Sequence, residues 1–150
     1  MCRERSVMWI GLALLGLSAL LIGCRAPGEL PRDEARAFAE AVAPTTERLF
    51  QALNAGDEAL FVAEMTPQMS EASSGEGFIR MREQIWGRIG DFESAEMRKV
   101  LHQNEFWNVL YRADFADEKG VTVRVVYADV EGVYLVAGLW LDSAKLRAAQ

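Results

Sequence analysis

The sequence predicts an α+β domain in which three N-terminal helices precede a four-stranded, twisted antiparallel sheet. Apolar residues recur at three- and four-residue spacings between Pro31 and Ile89, the period of a half-buried helix. From Asp91 onward they recur at every second position, the period of a strand with one covered face. The chain has 150 residues, 51% hydrophobic and 25% charged, which suits one packed domain and excludes a collagen-like repeat or a disordered tail.

The first helix carries Phe38, Val42, Leu49, Phe50 and Leu53 on one side and leaves Glu40, Glu47, Arg48 and Gln51 to solvent. Pro44 removes a backbone donor and disfavours helical geometry at Ala43, so a kink or break is expected there, with Thr45 capping the second piece. Asn54-Ala55-Gly56-Asp57 ends this element and opens a short second helix with Leu60, Phe61 and Met65. A third helix, Glu76 to Ile89, shows Phe78, Ile79, Ile85, Trp86 and Ile89 on one side and stops at Gly90. The strands follow: Phe92 to His102, then Glu105 to Phe115, then Val121 to Tyr127 after the turn Ala116-Asp117-Glu118-Lys119-Gly120, and last Val133 to Leu141. Pairing Phe115 with Val121 puts both apolar rows of the central hairpin on one side. The register of the last strand stays open, since a two- or three-residue loop near Val130-Glu131-Gly132 exchanges its faces.

Ahead of the domain, Met1-Cys2-Arg3-Glu4-Arg5-Ser6 is a short basic start, and Val7 to Ile22 is an apolar run. Sixteen helical residues span about 24 Å, short of the ~30 Å hydrocarbon core, so a cleaved signal segment fits better than a spanning helix. The run ends Leu21-Ile22-Gly23-Cys24, which resembles the lipobox of bacterial lipoproteins. The resemblance implies cleavage between Gly23 and Cys24, lipid on the Cys24 sulfur, and a cell-envelope location, on the outer membrane or the outer face of the cytoplasmic membrane. The alternative is an uncleaved N-terminal helix in which Cys24 is an ordinary apolar residue. The expected organisation is a signal peptide at 1–23, a lipidated linker at 24–31 and the domain at 32–150. The linker, Arg25-Ala26-Pro27-Gly28-Glu29-Leu30-Pro31, reaches about 25 Å if extended.

Once residues 1–23 are removed, 14 basic and 21 acidic residues remain, a net charge of −7 that suits no nucleic-acid backbone. Cys2 leaves with the leader and no thiol remains beyond Cys24, so the domain must hold itself together without a disulfide. His102 is the single histidine, which leaves no imidazole or thiolate set for a metal. No cofactor is expected. Gly75-Glu76-Gly77 lacks the third glycine and preceding strand of a dinucleotide site.

The order of elements, with Ile89-Gly90-Asp91-Phe92 entering the sheet, Asp114-Phe115-Ala116-Asp117 in the central hairpin and Val136-Ala137-Gly138-Leu139-Trp140 in the last strand, resembles the nuclear transport factor 2-like, or cystatin-like, superfamily. That resemblance covers roughly residues 33 to 142. It implies a sheet curled into a cone round the helices, a pocket between the two layers, and dimerisation through the outer sheet face. Some members are isomerases or dehydratases, and many bind or assemble without catalysis, so the fold does not select the activity.

Trp86, Trp107, Tyr111 and Tyr127 are the candidate pocket residues, as core or as the wall of a site for a small apolar ligand. Phe106, Leu110, Arg112, Asp114 and Arg124, with Val126 and, register permitting, Tyr134, Val136 and Trp140, form a candidate interface on the other face. It suits a second copy or an envelope protein, unless Ser143 to Gln150 folds over it. With Phe115 opposite Val121, Asp114 and Arg124 are diagonal neighbours; the commoner outcome for such a pair is a solvated ion pair. A ketosteroid-isomerase-type site would need a desolvated carboxylate in the pocket, and the inner rows offer none. The expected function is thus a lipid-anchored, non-catalytic binding or assembly module of the envelope, with a small-substrate isomerase or dehydratase as the alternative.

Overall fold

The computed structural model describes residues 26–149; the leader, Gly23 and Cys24 lie outside them. The fold is α+β, with helices first and a four-stranded antiparallel sheet in the order β1-β2-β3-β4 after them. Helix α1 runs Arg32–Ala55, α2 Glu58–Ala63, α3 Pro67–Ser73, α4 Glu76–Met81 and α5 Gly87–Ile89, with a π-helical turn at Arg82–Trp86 between the last two. The strands are β1 Phe92–Gln103, β2 Phe106–Phe115, β3 Val121–Val130 and β4 Val133–Asp142, and a short α6, Ala144–Arg147, ends the described chain.

Five α-helical segments therefore precede the sheet where three were expected. Pro67 sits at the start of the additional one, and the Thr66 side chain accepts from the Met69 amide at 3.4 Å, so the chain renews its helix at once. The expected Glu76 to Ile89 helix is helical throughout but divided by the π turn. The break expected at Pro44 is absent, for α1 continues through it. Pro44 lies on the exposed side of the helix, where its ring meets no packed neighbour layer. Helix α1 does end where expected: Gly56 takes φ 72°, the Asp57 amide reaches back to the Ala52 carbonyl at 2.9 Å, and the Asp57 side chain caps α2 by accepting from the Leu60 amide at 3.0 Å.

The core lies between α1 and one face of the sheet. Val42, Leu49, Phe50 and Leu53 of α1 meet Val109, Ala113, Phe115, Val121, Val123, Val125 and Tyr127, all fully or almost fully buried. The expected pairing of Phe115 with Val121 is corrected: Val121 lies opposite Ala113, and Phe115 pairs with Phe92 of β1. A tight turn causes the two-residue difference, because the Phe115 amide donates to the Glu118 carbonyl and the Gly120 amide to Asp114 Oδ1. Every side chain keeps its expected face, since the slip is even.

Strand β4 resolves its open register with two devices. Glu131 and Gly132 both take positive φ (54° and 85°), making a two-residue turn between the paired Val130 and Val133. Ala137 is then an extra residue, since Tyr127 faces Val136 while Val126 faces Gly138. Of the three residues whose outer placement depended on this register, Tyr134 and Val136 therefore turn inward and Trp140 points outward.

Candidate functional site

A cleft of about 620 Å³ opens between α1 and the first half of β1. Its existence follows from small side chains and strand irregularity. Ala39 and Ala43, one helical turn apart, face Ala95 across it, and β1 carries register shifts at Phe92/Ser94 and Met97/Lys99 that leave α1 and the strand incompletely filled. Phe50, Phe92 and Met97 add apolar wall. Arg36, Glu40, Glu47, Gln51 and Glu93 form an exposed, mostly acidic rim.

Tyr111 and Thr46 supply the polar groups at depth. The Thr46 hydroxyl lies 2.9 Å from the Val42 carbonyl, which takes its single proton. Its oxygen then accepts from the Tyr127 hydroxyl at 2.5 Å. The Tyr111 hydroxyl stands 3.4 Å from the same oxygen, a weak bond that leaves the phenol free to turn toward a guest. Burial pushes both tyrosines above their ordinary pKa; hydrogen bonding with Thr46 and Tyr127 partly offsets this at Tyr111, and the neighbouring Tyr111 adds to it at Tyr127. The deep part of the cleft thus presents a neutral phenol, a hydrogen-bond donor and a poor base at pH 7.

Of the four candidate pocket residues, only Tyr111 lines this cleft. The others separate into two aromatic groups at opposite ends of the core. Trp86 packs edge-on against Phe115 and near Phe50, while Phe50 stacks on Phe92 with ring centres 4.2 Å apart. Trp107 lies between Phe38 and His102, at 5.5 and 4.3 Å, and Phe38 also meets Tyr127 and Tyr134 edge-on. Trp86 and Tyr127 are core. His102 is exposed and stacked on Trp107, and among the described residues no three His, Cys, Asp or Glu side chains converge as a metal site.

Two residues escaped the sequence reading. Thr46 organises the tyrosine pair. Asn54 joins α1 to the rest: its side-chain oxygen accepts from the Trp86 indole at 2.8 Å and the Phe92 amide at 2.9 Å, while its nitrogen donates to the Phe92 carbonyl at 2.9 Å. Polar residues on the inner stripe of an otherwise apolar helix were the available signal for both.

The outer face holds Phe106, Leu110, Arg112, Asp114, Arg124, Val126 and Trp140. Asp114 and Arg124 are not diagonal neighbours, because Arg124 lies opposite Leu110 and Asp114 is occupied by the Gly120 amide. Arg124 instead covers the Trp140 ring at 4.1 Å, and the indole lies against Gly138, where a Cβ would fall 2.3 Å from it. Among the described residues, the C-terminal segment does not cover this face. Glu118 holds Ser143 and the Ala144 amide at the far turn, so α6 packs beside α5. Trp140 remains 49% exposed.

Compared with family models, curated proteins and solved structures, the chain matches none.

Proposed function

We propose that the protein is an exported module of the bacterial envelope, cut between Gly23 and Cys24, held to a membrane by lipid on Cys24, and acting by binding. The lipobox-like string supports the anchor. In this reading the domain is of the nuclear transport factor 2-like kind, its sheet curled round α1, and the outer face around Trp140 meets a second copy or an envelope protein.

The observation that carries the binding role is the cleft, whose apolar walls end at the Tyr111 phenol. A site of that shape takes a small apolar guest with one hydrogen-bond acceptor. The rim acids Glu40 and Glu47 disfavour an anion, while Glu93 is paired with Lys119. Binding is favoured over isomerase chemistry because these three carboxylates are exposed at the mouth, whereas a proton-abstracting base has to be desolvated beside the guest.

Nile red, a neutral apolar dye with a carbonyl acceptor, tests the cleft. The folded protein should raise its emission, and Ala43→Phe, which fills the space, should abolish the rise; Tyr111→Phe should weaken it. An unchanged rise in Ala43→Phe would remove the cleft as the site. Mass spectrometry of the mature N-terminus tests the anchor, since an intact Met1 contradicts acylated Cys24.

A further inference from the structure

Gly28 to Leu30, a few residues beyond Cys24, are built into the edge of the sheet. The Glu29 amide donates to the Ala26 carbonyl at 3.0 Å, with Pro27 and Gly28 (φ 79°) at the central positions of the turn. Beyond that turn, Glu29 pairs antiparallel with Leu101. The Leu30 amide donates to the Val100 carbonyl at 2.9 Å, and the His102 amide to the Gly28 carbonyl at 2.8 Å. Gly28 is required by close approach as well as by φ, because a Cβ there would lie 2.6 Å from the His102 carbonyl oxygen. The extended reach expected of residues 25–31 is therefore not adopted from Ala26 to Leu30. Only Arg25 separates Cys24 from this fixed segment, and two Cα steps cover at most about 7 Å.

That short distance selects one end of the molecule. Gly28 sits beside His102, next to the β1–β2 turn at Asn104 and Glu105. In an antiparallel meander the β3–β4 turn at Glu131 and Gly132 shares this end, and the turn after Phe115 lies at the other, about 30 Å away along β2. Val130 and Val133, 36% and 58% exposed, flank the near turn. Glu105, Asp129 and Glu131 are exposed around them.

We infer that the end of the sheet bearing Asn104–Glu105 and Val130–Val133 is a membrane-facing surface, seated on the lipid headgroups of the bilayer that holds the anchor. The inference rests on the acylation of Cys24 proposed above. The valines touch the interface, and the three carboxylates keep the contact at headgroup depth. Phe92 to Met97 of the cleft then lie in the half of the domain turned away from the bilayer, so a guest enters from the aqueous side.

The thiol inventory makes the test clean, because Cys2 leaves with the leader and a lipidated Cys24 has no free thiol. Mature protein carrying Glu105→Cys or Lys119→Cys, expressed from the whole chain and purified in its acylated form, is labelled with bimane and added to phosphatidylcholine vesicles doped with a headgroup nitroxide lipid. Quenching should be at least about threefold stronger at position 105 than at 119, given the separation of the two ends. Gly28→Ala, which loosens the fixed segment, should reduce that ratio toward one. Equal quenching, stronger quenching at 119, or a ratio untouched by Gly28→Ala, in protein whose mass includes the lipid, overturns the orientation alone. A mass without lipid on Cys24 overturns the anchor and the orientation together.

Discussion

The two faces of the sheet are written in the same alphabet and have different fates. On the inner face Val109, Ala113, Phe115, Val123, Val125 and Tyr127 are fully buried beneath the helices. On the outer face Phe106, Leu110 and Trp140 share the surface with Arg112, Asp114 and Arg124, and half of the Trp140 surface meets water. The difference teaches that strand alternation assigns side chains to faces, while the covering layer decides which face becomes core.

Substitutions should expose that asymmetry. Phe115→Ala removes a fully buried ring packed edge-on against Trp86 and Phe92, and should lower stability by about 3–5 kcal/mol, read as a fall in the urea midpoint. A loss below about 1 kcal/mol would mean that the inner face is not the core.

Alkali attacks the same face through its tyrosines. Tyr111 and Tyr127 have folded pKa values above the unfolded value near 10, so the folded state holds their protons more tightly. Their stabilisation is complete below about pH 10 and is lost as pH rises toward the folded values, at up to about 1.4 kcal/mol per pH unit for each group. Denaturant titrations from pH 8 to 11.5 should therefore be flat at first and then fall steeply. Thr46→Val, which deprives Tyr127 of its acceptor, should lower the whole curve by about 1–3 kcal/mol.

The outer face should respond least. Trp140→Ala gives up the Arg124 contact and partial packing over Gly138, worth about 1 kcal/mol or less in the monomer. Its effect should appear in sedimentation instead, as a shift to smaller species, if the face meets a second copy. Unchanged sedimentation together with a large stability loss would reverse the distinction between the faces.

Much of this was legible in the chain itself. The change of period at Asp91, the turn residues Asn54 to Asp57, the stop at Gly90 and the turn at Glu131-Gly132 all lie where the sequence placed them, because each depends on chemistry within a few residues. The cleft was legible only through Tyr111. Trp86, Trp107 and Tyr127 were drawn to it by their residue type, whereas the walls are set by alanines, whose lack of side chain carries no signal until two elements are opposed.

By itself, then, the sequence determined the element types, the inward and outward rows of β2 and β3, and the string around Cys24. Tertiary structure alone decided that Val121 faces Ala113, that Ala137 bulges so Val136 and Trp140 part company, and that Gly28 to Leu30 join the edge of β1. The reason is that a pattern of period two is unchanged by an even slip and blind to an inserted residue. Only hydrogen bonds between distant segments remove that degeneracy.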